Sequence, residues 1–355
     1  MNVKKKDKKK FSRRKLKLKN LEITEIDDFS DDEVIEEKRA EKKIEEKEKF
    51  SSKKNLKLVL GQVTEIQTNH LFNVRIRSED HLCTLRGRLK QFNLSTGTPV
   101  AVGDFVNIDI SGTPGIEEIL PRKTKLSRFS DHSFQKEKII ASNIDQVIIT
   151  ASADEPMLNL GLIDRYICTA HIAEIEPVIC INKIDLLSDI SVLTEAMKYY
   201  SEQNIKIVYV SCILNMGFEK LHTVLKNKTS VFSGHSGVGK SSIINILKPE
   251  LNLKVAEISF VHNKGVHTTT GSKMIQWDFG GNFIDTPGIK TFGLHRKSKE
   301  FIPKVFPGFH TYAVDCKYVD CTHTHEKDCR ILEQLESGEI PEERYESYLR
   351  ILDSL

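Results

Sequence analysis

The chain has 355 residues and a net charge of +3, from 53 Lys and Arg against 50 Asp and Glu, with 39% hydrophobic residues. That length suits two or three domains at roughly 150 residues each. No run of about 18 apolar residues occurs, which excludes a helical membrane span, and the Lys-rich N-terminus lacks the apolar stretch of a secretory signal. A cytoplasmic protein without a membrane partner is therefore expected. Four of the seven Cys (Cys83, Cys168, Cys180, Cys212) are scattered through apolar surroundings, the usage of free buried thiols rather than a disulfide framework.

Residues 1–55 form a separate compositional zone, basic at first, then acidic, then mixed. Too little apolar surface is present to offset ordering entropy, so a disordered extension is expected there, either a solubilising tail or an arm for phosphate backbones. From 56 to 120 the hydrophobic period changes to two, with strands expected at 58–60, 72–76 and 106–110 and Gly/Pro turns between them. Five or so short strands in that length suit an OB-fold barrel. Arg75, Arg77, Arg86, Arg88 and Lys90 decorate it, either as a nucleic-acid platform or as a solvated face.

From 144 onward strands and helices alternate. Strands are expected at 144–150, 177–181, 206–211 and 229–233, and helices at 163–173, 192–203, 217–227 and 240–247. A hairpin is expected over 273–285. Near-continuous apolar runs mark strands buried on both faces, and the alternation predicts a mostly parallel three-layer α/β domain.

Gly234-His235-Ser236-Gly237-Val238-Gly239-Lys240-Ser241 matches the G-x-x-x-x-G-K-[ST] phosphate loop. It falls after an expected strand and opens an expected helix, where backbone N–H groups and the helix N-terminus supply positive charge. Lys240 would reach the outer phosphates and Ser241 would hold Mg²⁺. Asn182-Lys183-Ile184-Asp185 ends another expected strand. A carboxylate at Asp185 accepts from the guanine ring N–H and its exocyclic amine, a donor pair that adenine lacks. Ser211-Cys212 sits where a backbone N–H commonly reads guanine O6. Asp285-Thr286-Pro287-Gly288 would hold Mg²⁺ through water at Asp285 and meet the γ-phosphate at the Gly288 N–H. A switch threonine belongs within Gly265-Val266-His267-Thr268-Thr269-Thr270, and Thr269 is assigned that Mg²⁺ role.

Most GTPases place the phosphate loop first and the base-reading motif near the end. Here Asn182–Asp185 precedes Gly234 by about fifty residues. A site needs spatial adjacency rather than chain order, and a circular permutation satisfies that. Farther on, Cys316, Cys321, His323, His325 and Cys329 fall within fourteen residues. Three thiolates and one imidazole make a tetrahedral structural Zn²⁺ site, and spacing alone leaves His323 and His325 as alternatives. Amphipathic helices are expected around 331–335 and 345–352.

With these motifs in order, the chain resembles the YjeQ-type (RsgA) family of circularly permuted GTPases dependent on the small ribosomal subunit. The resemblance covers about 56–355. It rests on Pro121-Arg122, Leu126-Ser127-Arg128, Ile144-Asp145-Gln146-Val147, Ile163-Asp164-Arg165-Tyr166, Asn182–Asp185, Gly234 through Ser242, 267–270, 285–288, the Cys/His cluster and Arg344-Tyr345-Glu346-Ser347-Tyr348-Leu349. It implies an OB-fold barrel (56–120), a permuted P-loop GTPase domain (121–297) and a C-terminal zinc-binding helical domain (298–355). It also implies GTP and GDP as ligands, Mg²⁺ with GTP, and one Zn²⁺ on Cys316, Cys321, His323 and Cys329. The implied partners are the 30S subunit and its rRNA, met by a monomer that assists late subunit maturation and is stimulated by it. Val266 stands where the family usually has Arg, and Cys212 where it usually has Ala. Ile289 follows the D-x-x-G motif in place of a water-orienting Gln, so intrinsic turnover of about 10⁻⁴ to 10⁻² s⁻¹ is expected, with His267 the candidate catalytic substitute. A nucleotide-gated RNA-binding module with incidental turnover is the alternative.

Overall fold

A computed structural model describes residues 57–87, 89, 99–129, 137–253, 272–285 and 293–355. The expectations placed on 1–55, Arg88, Lys90, Val266, His267, Thr268, Thr269, Thr270, Gly288 and Ile289 lie outside the described residues.

Five strands build the barrel: β1 (Leu58–Thr68), β2 (Leu71–Ile76), β3 (Glu79–Leu85), β4 (Phe105–Asp109) and β5 (Gly115–Ile119). The first three form a meander, β5 runs parallel to β3 and antiparallel to β4, and β4 returns to pair with β1 and close the ring. Alternate residues point inward, so Val63, Phe72, Val74, Cys83, Val106, Ile108 and Ile116 share one core. β1 is longer than the apolar triplet at 58–60 suggested. β3 was not anticipated because its first half, Glu79-Asp80-His81, is polar.

The chain leaves the barrel through an unanticipated two-stranded hairpin, β6 (Lys125–Phe129) and β7 (Glu137–Ser142). A buried carboxylate ties this exit to the barrel. Arg122 Nε and Nη2 donate to the two oxygens of Asp104 at 2.6 and 2.7 Å, and Ser142 Oγ donates to the same carboxylate at 2.6 Å.

The α/β layer follows as β8 (Gln146–Ser152), α1 (Leu160–Ile172), β9 (Glu176–Asn182), α2 (Ser191–Glu202), β10 (Lys206–Tyr209), α3 (Phe218–Leu225), β11 (Thr229–Ser233), α4 (Lys240–Leu247), β12 (Lys273–Gln276) and β13 (Asn282–Asp285). The strand order is β10-β9-β8-β11-β13-β12, parallel throughout except for β12. Strand alternation divides the core in two. Val147, Ile149, Ile179 and Ile181 meet α1 and α2 on one face; Ile148, Val178, Cys180 and Phe232 meet α3 and α4 on the other. The barrel joins this layer edge to edge at Glu65 and Lys273, where β1 pairs with β12. The strand at 229–233 and the helix at 240–247 coincide with the expected ones and the other α/β elements differ by up to three residues at an end; α1 starts at Leu160 because Asn159 caps it, accepting from the Leu162 N–H at 3.0 Å.

The C-terminal region holds a 3₁₀ turn (Arg296–Phe301) and short helices α5 (Ile302–Val305) and α6 (His310–Ala313), then α7 (Arg330–Glu336) and α8 (Glu342–Asp353). Ile302, Phe306, Phe309, Ile331, Tyr348 and Ile351 form its core, which also takes in Cys168 of α1. A second buried ion pair docks α8 on α1 and α2. Arg344 Nη1 lies 2.9 Å from Asp164 Oδ2, while Ser347 Oγ and Tyr200 Oη donate to the same carboxylate at 2.6 and 2.7 Å. Burial pushes the Asp164 carboxyl up, and Arg344, Ser347 and Tyr200 pull against it.

Candidate nucleotide site and metal centre

The strand order reverses around β8, whose followers in the chain lie on one side (β9, β10) and whose later neighbours lie on the other (β11, β13). Open α/β sheets bind ligands in the crevice beyond the carboxyl ends of strands at such a switch point. The phosphate-loop motif leaves the end of β11 there, and Asn182–Asp185 leaves the end of β9.

A cleft of about 700 Å³ opens at that place. Its walls include Asn182, Lys183, Asp185 and Cys212 from one motif group and Gly234 to Gly237, Gly239 to Ser242 and Asp285 from the other. The motifs, separated and reordered in the chain, therefore face one cavity. Val238, Ile184 and Ser211 do not line it. Val238 faces a smaller apolar pocket between the loop and α1, Ile184 packs into the α1–α2 core, and Ser211 acts behind Asp185. Tyr166, Ile213, Phe232, Ile244, Phe283 and Ile284 complete the cleft. None of the six is a site residue by sequence, and only Tyr166 lies in a family motif, because apolar and aromatic residues beside a motif carry no signal separating a cleft wall from ordinary core.

The loop's backbone explains its glycines. Gly239 has φ +93°, in the left-handed region, and a Cβ there would lie 2.2 Å from Asn182 Nδ2. That same Nδ2 donates to the Val238 carbonyl at 3.0 Å, so the two motif groups are hydrogen-bonded to each other directly. Lys240 Nζ donates to the carbonyls of Gly234 (2.8 Å) and His235 (2.6 Å), which holds the ammonium over the loop. Ser241 Oγ is buried and has no hydrogen-bond partner among the described residues. An orphaned hydroxyl at the first turn of a helix fits a cation ligand, since a buried polar group otherwise carries a desolvation penalty. Across the cleft, burial pushes the Asp285 carboxyl up, a cost that a bound cation would offset.

At the other end, Ser211 Oγ donates to Asp185 Oδ1 and fixes the carboxylate's orientation. The Ser211 N–H is spent on the Met216 carbonyl at 3.1 Å, whereas the Cys212 N–H makes only a long contact of 3.4 Å to Asn182 Oδ1. Of the two amides expected near the base, Cys212 is the one facing the cleft. Burial pushes its thiol up to about 11, so it is protonated at neutral pH.

In the C-terminal region, the ligand atoms of Cys316, Cys321, His323 and Cys329 all lie within 4.8 Å of one another. Zn–S bonds of about 2.3 Å and a Zn–N bond of about 2.0 Å at tetrahedral angles require roughly 3.8 Å between sulfurs and 3.5 Å between sulfur and nitrogen. The observed Cys316–Cys329 sulfur separation is 4.0 Å, and His323 Nδ1 lies 3.6 and 3.5 Å from those two sulfurs. The group is compatible with a zinc site. His323 therefore belongs to the cluster, while His325 is exposed and bonds Thr324 Oγ1 at 2.8 Å. The His323 ring also bonds the Pro303 backbone, the kind of outer contact that orients a metal-binding imidazole. The Glu326 carboxylate braces the loop by accepting from the N–H groups of Thr322, Thr324 and His325.

A parallel-sheet nucleotide fold with these motifs in rotated order defines a circularly permuted P-loop GTPase. Residues 119–295 match the family model described as RsgA GTPase. The Small ribosomal subunit biogenesis GTPase RsgA of Flavobacterium psychrophilum is 38% identical over 279 residues, which covers 76% of this chain and 85% of that protein. The crystal structure of YjeQ from Thermotoga maritima superposes with a TM-score of 0.66 at 31% identity, covering 84% of this chain and 98% of that one. YloQ, described as a circularly permuted GTPase, shares the fold at a TM-score of 0.64 and 24% identity, over 84% of this chain and 94% of its own. The chain belongs to the RsgA GTPase family, and it is a GTP hydrolase. Among the described residues no helix is long and apolar enough to cross a membrane.

Proposed function

We propose that this protein hydrolyses GTP in the cytoplasm, as a monomer, to assist late maturation of the 30S ribosomal subunit, binding its rRNA and being stimulated by it. The observation that carries the nucleotide assignment is the single cleft lined by both Asp185 and Lys240. Asp185, with Asn182 and the Cys212 N–H, would read guanine. Gly234 to Ser242 would wrap the phosphates, with Lys240 moving from the loop carbonyls to the outer phosphate oxygens. Ser241 and Thr269 would ligate Mg²⁺ and Asp285 would bind it through water; the ion would neutralise charge developing on the transferred phosphoryl group. Gly288 would sense the γ-phosphate, and His267 would orient the attacking water in place of the Gln that Ile289 displaces. Cys316, Cys321, His323 and Cys329 would hold one structural Zn²⁺. The barrel's own core, and a C-terminal core to which α1 adds Cys168, support boundaries at 56–120, 121–297 and 298–355.

The ribosomal partner is supported by what the relatives are named for. The test is GTP turnover with and without purified small subunits, run against ATP and repeated after deletion of residues 1–54. Stimulation specific to GTP supports the reading; equal turnover with and without subunits overturns it. Ile289 favours a second reading, in which nucleotide gates RNA affinity and turnover is incidental. A GTP-competent, hydrolysis-deficient variant that leaves the subunit as fast as the parent chain would favour that one.

A further inference from the structure

The 3₁₀ turn Arg296–Phe301 and the start of α5 carry Arg296, Lys297, Lys299 and Lys304, all exposed, against one carboxylate, Glu300. Nine residues thus hold as much net positive charge as the whole chain, +3. Among the described residues none of these four cations has an ion-pair partner. Three other exposed cations of the C-terminal region are paired, Lys317 with Asp328 at 2.8 Å, Arg330 with Glu333 at 2.7 Å and Arg350 with Glu346 at 3.2 Å. In a 3₁₀ turn residues three apart eclipse, so Arg296 and Lys299 stack on one ridge about 6 Å apart along the axis. Phe301, beside them, leaves 46% of its surface in water although its neighbour Ile302 is fully buried.

The patch is held rigidly at one end. Ile302 and Phe306 anchor it in the C-terminal core, and the Pro303 carbonyl accepts from the ring of His323, a member of the Cys₃His cluster. Its other end begins eight residues after Gly288, the last residue of the D-x-x-G motif. A row of unneutralised cations beside an exposed aromatic face is the chemistry that takes a single-stranded RNA segment. Phosphates release counterions to the cations, and an unstacked base covers the ring. We infer that the Arg296–Phe301 turn, with Lys304, is a contact surface for single-stranded RNA, fixed in place by the Cys₃His centre. This rests on the ribosomal reading above and names a surface for it.

The test uses the full chain with zinc bound and a short fluorescein-labelled single-stranded RNA as probe, titrated by anisotropy between about 50 and 200 mM salt. Each lost phosphate contact flattens the log K against log salt slope by about 0.7, so R296E/K297E/K299E should flatten it by about 2 and weaken binding at least tenfold. Phe301→Ala should weaken binding about fivefold or more while Phe301→Tyr restores it, because stacking needs a ring rather than mere bulk. Binding of a fluorescent GTP analogue by these variants should match the parent chain, since none of the residues lines the nucleotide cleft. Unchanged slope and affinity in the triple variant, with the parent chain binding normally, overturn this inference alone. A parent chain that binds neither the probe nor purified small subunits overturns it together with the ribosomal reading. Polyglutamate displacing the RNA at equal charge concentration would assign the patch to an acidic protein instead.

Discussion

Replacing Gly239 by Ala adds one methyl group at the point where the two motif groups touch. The backbone there has φ +93°, a region that costs an L-residue about 1–2 kcal/mol. The new Cβ would also lie 2.2 Å from Asn182 Nδ2 and displace it from the Val238 carbonyl, a hydrogen bond worth about 1 kcal/mol. The two effects together come to roughly 2–3 kcal/mol, and both are relieved if the loop leaves the conformation that wraps phosphates. The binding-competent fraction then falls, and the apparent Kd for a fluorescent GDP analogue should rise about 30- to 150-fold. The melting temperature should change little, because the loop is surface backbone rather than core. Gly112→Ala is the control, since a Cβ there meets nothing within 4 Å and the residue is not left-handed. A Gly239→Ala Kd within threefold of the parent value would refute the claim that this loop and Asn182 hold each other in the binding geometry.

Arg344→Met leaves Asp164 buried without its cation and should cost about 3–5 kcal/mol in chemical denaturation, whereas Asp164→Asn with Arg344→Met should recover much of it; additive losses would show the pair is uncoupled. Asp285 titrates above its ordinary value, so its contribution to stability is full below the unfolded value near 4 and is lost as pH rises through the folded value. Asp285→Asn should therefore raise the melting temperature of the nucleotide-free protein at pH 7 while weakening Mg²⁺-dependent nucleotide binding at least tenfold; a lower melting temperature contradicts the buried-charge argument. Metal analysis should find one zinc per chain, and chelation or Cys321→Ser should abolish the near-ultraviolet signal of the Tyr345–Tyr348 core without unfolding the barrel; a zinc-free chain with that signal intact counts against the site.

Local backbone requirements made the nucleotide cleft legible. A loop that wraps anions needs glycines at fixed offsets, and a guanine reader needs a carboxylate at a strand end, so both motifs stand out in sequence. Parallel strands buried on both faces announced themselves as apolar runs, as at β9. What escaped was set by contacts between distant residues. Asp164 and Arg344 are 180 positions apart, and Asp104 and Arg122 meet only once the barrel has closed. A lone charge on an apolar face was the available signal in each case: Asp164 lies between Ile163 and Ile167, and Asp104 follows Val100-Ala101-Val102. The β6–β7 hairpin was invisible because Lys125–Phe129 is short and mostly polar. Spacing alone left His323 and His325 as alternatives; the family resemblance implied His323, and the structure turns its Nδ1 toward the cysteine sulfurs.

Exchanging one atom tests the common-cleft account most directly. Asp185→Asn replaces a carboxylate oxygen by an amide donor, which opposes the exocyclic amine of guanine but complements the second carbonyl of xanthine. Competition binding should show GTP weakened about 10²-fold or more and XTP strengthened, with both still requiring Lys240. A variant that holds GTP as tightly as the parent chain would contradict the account, because Asp185 and the phosphate loop would then not belong to one nucleotide.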